Sequence, residues 1–222
     1  KIMNKKRKKT QEIQEIYGFH SVFAALQNNK RRHFEIYILE KYKEFIKKYS
    51  EIIENINILT SKEMNKLFGN ENATQGIVLK SSILEKIMFE KALEKLNLLD
   101  VSVVVVLDQI TDPHNIGSIM RSCAIFNCKT VIASKDNAPD IGPALSKSSS
   151  GAIEIIDYIK VVNLKRSLQK LKKLGYWIYG LDNNFKKNSK SLDLSKKCVL
   201  VFGSEGRGIR DLIKKECDIF VK

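Results

Sequence analysis

Apolar and polar positions along the chain follow two rhythms, one of strands and one of helices, and their alternation sets out the elements. The run VSVVVVLD, residues 101–108, is β-branched without polar alternation and too short to cross a bilayer, so it predicts a strand buried on both faces of a parallel sheet. After it, Ile116, Ile119, Met120, Cys123 and Ala124 recur at helical spacing, while Ser118, Arg121 and Ser122 fall on another face. Asp112-Pro113 marks the turn between strand and helix, and Asn115 stands where it can cap the helix. Further on, the pattern predicts a strand at 129–133, a loop, a strand near 153–156, a helix at 163–174, strands at 176–181 and 198–202 and a helix at 208–215. In the helix from Asn163, Leu164, Leu168, Leu171 and Leu174 line the inner face, and Lys165, Arg166, Lys170, Lys172 and Lys173 point outward as a solvated basic face. Strands alternating with helices in this way predict an α/β domain built on a parallel sheet.

The first part of the chain has a shorter rhythm of its own. A helix follows the turn at Gly18, a strand covers 34–39, a charged helix covers 42–54, and a short strand occupies 56–59. Ser61 can cap the next helix, and Gly76 interrupts a final strand within 73–80. The expected organisation is therefore a basic disordered arm at 1–11, a small α/β domain at 12–80, a connection at 81–98 and the sheet domain at 99–222. In the connection, Ile83, Leu84, Ile87, Met88 and Leu93 suggest a helical stretch rather than a flexible one.

Charge narrows the partners. With 39 Lys+Arg against 25 Asp+Glu, the net charge of +14 points to a polyanion, nucleic acid first. The opening KIMNKKRKK reads either as an arm that tracks phosphates or as a solubilising tail. Lys30, Arg31, Arg32 and His33 cluster at a helix-to-strand corner, either as an RNA-holding patch or as a charged surface loop. Cys123, Cys128, Cys198 and Cys217 have no CxxC spacing and there are three histidines, so no metal site is expected. No apolar stretch is long enough for a membrane span and no signal peptide is evident, which suggests the cytoplasm.

The chemistry lies in three stretches. In DPHNIGSIMRS, residues 112–122, Asn115 at a helix entry, Gly117 as a point of close ligand approach and Arg121 one turn on would form a polar constellation at the carboxyl end of a strand, where open α/β sheets place ligands. In LVFGSEGRGI, residues 200–209, Gly203, Gly206 and Gly208 leave backbone groups free to meet a flat ligand such as an adenine ring. That spacing is neither GxGxxG nor a P-loop. SKSSSGAIEI, residues 146–155, carries Ser148, Ser149 and Ser150 either as a polar helix cap or as a loop closing over RNA.

In order and spacing these stretches resemble the motifs of the SPOUT-class TrmH family of RNA 2′-O-ribose methyltransferases. Asn115, Gly117 and Arg121 match N-x-G-x-x-x-R, Gly203, Glu205 and Gly206 match G-x-E-G, and SSGAIE is similar to S-x-GA-x-E. IYGFHSVFAAL and TQGIV are similar to the substrate-binding domain of the subgroup that methylates guanosine in 23S rRNA, so the likeness spans about residues 15–222. The resemblance implies S-adenosyl-L-methionine as donor, 23S rRNA as partner, a homodimer and a deep trefoil knot. It implies catalytic roles for Asn115, Arg121 and Glu205, and cofactor contacts at Leu181, Asp182, Gly203, Gly206 and Ile209. Relatives are described as using the Arg as a base, but a free guanidinium is effectively never deprotonated, so Arg121 is expected to bind a phosphate or the developing alkoxide. Asn115 would orient ribose or Arg121, or only cap its helix; Glu205 would fix the glycine turn or contact Asn115, or be a simple surface carboxylate. The family's third motif, an Ile-Pro segment followed by S-L-N-x-S, is expected just where the chain ends, so the resemblance implies a longer protein with knot and cofactor pocket incomplete in this stretch. Two alternatives stay open, a non-catalytic RNA-binding or ribosome-assembly factor on the same scaffold and 2′-O-methylation of tRNA.

Overall fold

A computed structural model of the chain describes residues 12–69, 71–182 and 193–222. The basic arm at 1–11 and most of the polar stretch 183–197 lie outside the described residues. The chain divides into two compact units, which meet in sequence at Leu84 and Glu85.

The first unit runs β1 (Ile13–Tyr17), α1 (Phe19–Gln27), β2 (His33–Leu39), α2 (Lys43–Lys47), β3 (Ile53–Leu59), α3 (Ser61–Phe68), α4 (Glu71–Thr74) and β4 (Ile77–Ser82). Its four strands lie in the order β1-β4-β2-β3, with β4 antiparallel to both neighbours and β3 parallel to β2. The sequence pattern shows neither β1 nor the true extent of the second helix. In β1 the inward positions are Gln14 and Ile16, and a buried Gln hides the apolar alternation. The charged helix expected over 42–54 stops at Lys47, and Ile53 starts a strand. Thr60, not Ser61, caps α3, in a capping box with Glu63 that satisfies backbone donors at both ends of the motif. Ile16, Val22, Ala25, Ile36, Ile38 and Leu79 fill one side of the sheet, and Leu39, Met64 and Val78 fill a smaller cluster.

The second unit begins with α5 (Phe89–Asn97), followed by β5 (Ser102–Asp108), α6 (Pro113–Ile125), β6 (Thr130–Ser134), α7 (Pro143–Ser148), β7 (Asp157–Val161), α8 (Leu164–Lys173), β8 (Trp177–Leu181), β9 (Lys197–Gly203), α9 (Asp211–Lys214) and β10 (Ile219–Val221). Phe89, Ala92 and Leu96 of α5 are buried with Val104, Leu168 and Ile178, so this helix belongs to the core of the second unit and is not a connection. Six strands, all parallel, take the order β10-β8-β9-β5-β6-β7. The chain moves from β5 outward through β6 to β7, then returns on the other side of β5, which makes the carboxyl end of β5 the switch point of the sheet. Leu164, Leu168 and Leu171 are buried as the pattern predicts, and Asn163 caps α8 by accepting from the Arg166 N–H at 2.9 Å. On its outer face, Lys165, Lys170 and Lys172 pair with Glu216, Glu90 and Asp218, as a solvated face does.

The strand expected near 153–156 is absent. Ser150 and Gly151 both adopt positive φ, and the chain makes a 3-10 turn at Ala152–Glu154 before entering β7 four residues later than expected. Ile153 and Ile156 are buried by this turn, so their apolar character reflects packing and not strand pairing.

Candidate active site

A cleft of about 450 Å³ opens at the switch point. The loop after β5 supplies Gln109, Ile110, Thr111 and Asp112, α6 supplies Asn115, Ser118 and Ile119, and the end of β9 supplies Phe202, Gly203, Ser204 and Glu205. Two of the three expected catalytic residues, Asn115 and Glu205, thus share one cleft with Gly203, although 90 positions of sequence separate them. Gln109 holds a φ of 62°, a left-handed conformation uncommon for a side chain that is neither Gly nor Asn, at the point where the strand turns into the cleft.

Asp112 is the cap of α6, accepting from the His114 N–H at 3.0 Å, with Pro113 in the first turn. Asn115 therefore lies inside the helix, exposed and facing the cleft, and the expectation that it caps the helix is corrected. Gly117 is also reassigned. It is buried, and a Cβ on it would collide with Ser148, whose backbone carbon would lie 2.6 Å away, so its missing side chain lets α6 and α7 pack closely and does not admit a ligand. Arg121 is exposed on the same side of α6 as Asn115 and Ser118, and donates through Nη1 to the carbonyl of Ser148 at the end of α7. It does not line the cleft itself; Ser118, one turn earlier, does.

Ser148 and Ser149 are buried, and their hydroxyls donate to the carbonyls of Pro113, Leu145 and Ser146, which makes them internal fasteners and not an RNA-facing surface. Ser150 is exposed, at a φ of 49°. The cluster at the first unit's corner divides the same way. Arg31 is buried and donates to Gln14 at 3.3 Å and to the Ser82 carbonyl, whereas Lys30 and Arg32 are exposed, Arg32 pairing with Glu54 at 2.7 Å.

The expected cofactor residues gather at the carboxyl ends of neighbouring strands. Leu181 on β8 is in register with Phe202 on β9 and with Val221 on β10, and Gly203 follows Phe202. Asp182 is buried, its N–H donating to the Val221 carbonyl at 3.1 Å and its carboxylate pairing with Lys214 at 3.1 Å. The turn after β9 folds tightly on itself through a reciprocal pair of hydrogen bonds between Ser204 and Gly208. A Cβ on Gly203 would strike the backbone of Gly208, and Gly208 has a φ of 66°, so both glycines serve the turn. Gly206 meets nothing and needs no left-handed backbone; its glycine leaves open space on the exposed crest between Glu205 and Arg207. Ile209 is different, for its side chain is buried in the core.

One device that the sequence pattern does not show holds both walls together. Asp108, the last residue of β5, is fully buried and accepts from the backbone N–H of Arg210 at 2.8 Å, from its Nε at 2.8 Å and from its Nη2 at 2.6 Å. The fork geometry fastens the glycine turn to the loop that carries Gln109. An acidic residue ending an apolar strand and an Arg after a glycine turn were the available signal, but their pairing spans 102 positions. No cysteine is among the described residues that line the cleft: Cys123, Cys128 and Cys198 are buried elsewhere, and burial pushes the Cys198 thiol up to about 11 and the Cys217 thiol up to about 12. Among the described residues there is no group of His, Cys, Asp and Glu that could hold a metal ion, and no helix long and apolar enough to cross a membrane.

In sequence and fold the chain is similar to known proteins. Residues 102–222 match the SpoU rRNA Methylase family, and residues 16–86 match the domain described as RNA 2′-O ribose methyltransferase substrate binding. The chain is 31% identical over 217 residues, 95% of its own length and 86% of the relative's, to the 23S rRNA (guanosine-2′-O-)-methyltransferase RlmB of Coxiella burnetii. It is 33% identical over 213 residues, 93% and 84% of the two lengths, to the protein of that name from Neisseria meningitidis. In fold it is similar to the SpoU methyltransferase AviRb of Streptomyces viridochromogenes, solved in complex with the cofactor AdoMet, with a TM-score of 0.74 over 94% of this chain and 80% of that one at 17% identity. A match over more than half of the chain, joined to relatives of this identity over nearly all of it, leads to one conclusion: the chain belongs to the SpoU rRNA methylase family.

Proposed function

We propose that this protein transfers a methyl group from S-adenosyl-L-methionine to the ribose 2′-hydroxyl of a guanosine in 23S rRNA. The observation that carries the proposal is the convergence of Asn115, Gly203 and Glu205 on one cleft at the switch point, in a chain so similar to named 23S rRNA guanosine 2′-O-methyltransferases. The residues present fit the cofactor: a tight turn with an open glycine crest stands beside the carboxyl ends of three parallel strands, where backbone groups can meet an adenine and its ribose. Gly203, Gly206, Leu181 and Asp182 would hold it, with Ile209 supporting the turn from the core beneath.

When bound, S-adenosyl-L-methionine supplies a methyl on a cationic sulfur, open to in-line approach by an oxygen nucleophile. Asn115 orients the ribose from the cleft wall. Arg121 offers its free N–H groups to a backbone phosphate or to the oxygen as its negative charge develops, while the hydroxyl proton passes to water or phosphate. Glu205 stands exposed on the turn and lines the cleft with Asn115, where its carboxylate can meet that side chain. Lys30 and Arg32 of the first unit and Ser150 of the second contact RNA phosphates, and the excess of cations over the whole chain favours this partner. We further assign the protein a homodimeric state, a trefoil knot in the sheet domain, and a place in the cytoplasm, where its four free cysteines stay reduced. Calorimetric titration with S-adenosylhomocysteine, the product of methyl donation, tests the proposal. Saturable binding, lost on Gly203→Val, is expected; binding that survives this change would place the cofactor elsewhere.

A further inference from the structure

The helical face of the first unit carries a surface that the cleft and its chemistry leave unused. In α1 the buried positions are Ser21, Val22, Ala25 and Leu26, and in α2 only Ile46. Phe19 and Phe23, one turn apart, and Tyr42, Phe45 and Tyr49 are left half-buried. Their rings form one contiguous surface. Phe19 and Phe23 lie 6.3 Å apart with planes 3° from parallel, and Phe45 lies 5.1 Å from Phe19, 5.5 Å from Phe23 and 5.8 Å from Tyr49. The Tyr42 hydroxyl donates to the Gln75 carbonyl at 2.9 Å, which fixes that ring in place. Lys48 rests its ammonium 4.6 Å from the Phe45 ring centre, 5.1 Å from Tyr49 and 5.6 Å from Phe23, and Lys41 stands 5.1 Å over Tyr42. Among the described residues neither lysine has a carboxylate partner, whereas Lys43 beside them pairs with Glu40 at 3.1 Å.

We propose that this surface is a stacking platform for unpaired bases of the RNA substrate, with Lys48 and Lys41 holding the adjoining phosphates. The proposal rests on the reading of the chain as an RNA methyltransferase and adds the face and the form of RNA that its first unit grips. Unpaired bases present a flat π face joined to a phosphate, which is the complement of rings interleaved with unpaired ammonium groups. A duplex hides its base faces and would leave the rings unused. A protein partner would bury Lys48 and Lys41 without a counter-charge unless it carried its own. Cation–π contacts at exposed sites are weaker than the stacking of a base on an aromatic ring, so an arriving base displaces Lys48 from the Phe45 face and frees the ammonium for the phosphate.

Phe23→Leu and Phe45→Leu keep apolar volume under the helices and remove the π face. Each is expected to weaken the binding of a labelled single-stranded oligoadenylate, followed by fluorescence anisotropy, about tenfold. Binding of a blunt RNA duplex and the melting temperature stay as in the parent protein. Lys48→Ala is expected to weaken the same single strand and to flatten its salt dependence. Unchanged single-strand affinity in the leucine variants, or an equal loss for single strand and duplex, overturns the proposal. Ultraviolet crosslinking of oligouridylate to the unaltered protein provides a test that needs no variant to fold: crosslinked peptides from residues 19–27 or 41–49 support the platform, and crosslinks confined to other peptides overturn it. A protein that binds in this way but transfers no methyl group would end the functional reading and leave the platform standing; methyl transfer with leucine variants that bind like the parent would end the platform alone.

Discussion

The two units use charged side chains in opposite ways. In the first, the cations that flank the buried Arg31 stand at the surface: Lys30 is exposed, and Arg32 and Glu54 form a pair whose side chains are 62% and 43% exposed. In the second, the pair that matters is Asp108 with Arg210, whose carboxylate is 0% exposed and is gripped through three donors. An exposed pair can be remade with any phosphate that arrives, so it suits sequence-tolerant binding. A buried pair cannot be rearranged cheaply and fixes the distance between two loops, as a cleft that must align two reactants requires. On the proposed function, the difference sets exposed cations of the first unit, open to RNA, against a buried pair in the second that fixes the walls of the cleft.

Breaking the two pairs gives the widest contrast. Arg210→Ala leaves the Asp108 carboxylate buried with only a backbone partner and should cost about 3–5 kcal/mol in denaturant unfolding, against less than about 1 kcal/mol for Arg32→Ala. Equal losses would erase the distinction. Arg121→Ala should lower kcat by about 100- to 1000-fold with KM for RNA little changed. Arg121→Lys keeps the charge and loses the fork, so activity retained with a shifted pH profile would speak against the role assigned to the guanidinium. Gly117→Ala forces α6 from α7 at Ser148 and should cost about 1–3 kcal/mol, measured as a fall in unfolding midpoint. Asn115→Ser sharpens the account further: because Asp112 holds the cap, stability should change by less than about 0.5 kcal/mol while turnover falls, and a matching fall in both would return Asn115 to a structural role. In the first unit, Lys30→Ala with Arg32→Ala should raise KM several-fold, leave kcat unchanged and reduce the salt dependence of binding by about one unit of slope for each phosphate that is no longer held.

What could be read from the sequence follows the range of the forces involved. The apolar run that forms β5, buried from Val104 to Asp108, and the leucine face of α8 are local matters of residue type and spacing, and the structure has them where the pattern puts them. The isoleucines at 153, 155 and 156 look equally like a strand, but the left-handed Ser150 and Gly151 turn the chain before it can pair. Gln14 conceals β1 because its burial beside Arg31 depends on a partner 17 positions away. The same limit applies at the site. Asn115, Gly203 and Glu205 are legible as motif residues, and the fold brings them to one cleft. That Gly117 and Ser148 serve the packing of two helices, and that Asp108 reaches Arg210, are facts of tertiary structure to which no local pattern points.

The central claim is that the cleft methylates a ribose oxygen, and alkali tests it directly, since a phosphodiester next to a 2′-O-methyl ribose resists the cleavage that a free 2′-hydroxyl allows. The protein would be incubated with 23S rRNA and S-adenosyl-L-methionine labelled in the methyl group, and the RNA then hydrolysed. Label recovered in an alkali-stable dinucleotide that begins with guanosine is the predicted result. Label recovered in mononucleotides, as base methylation would give, would contradict it.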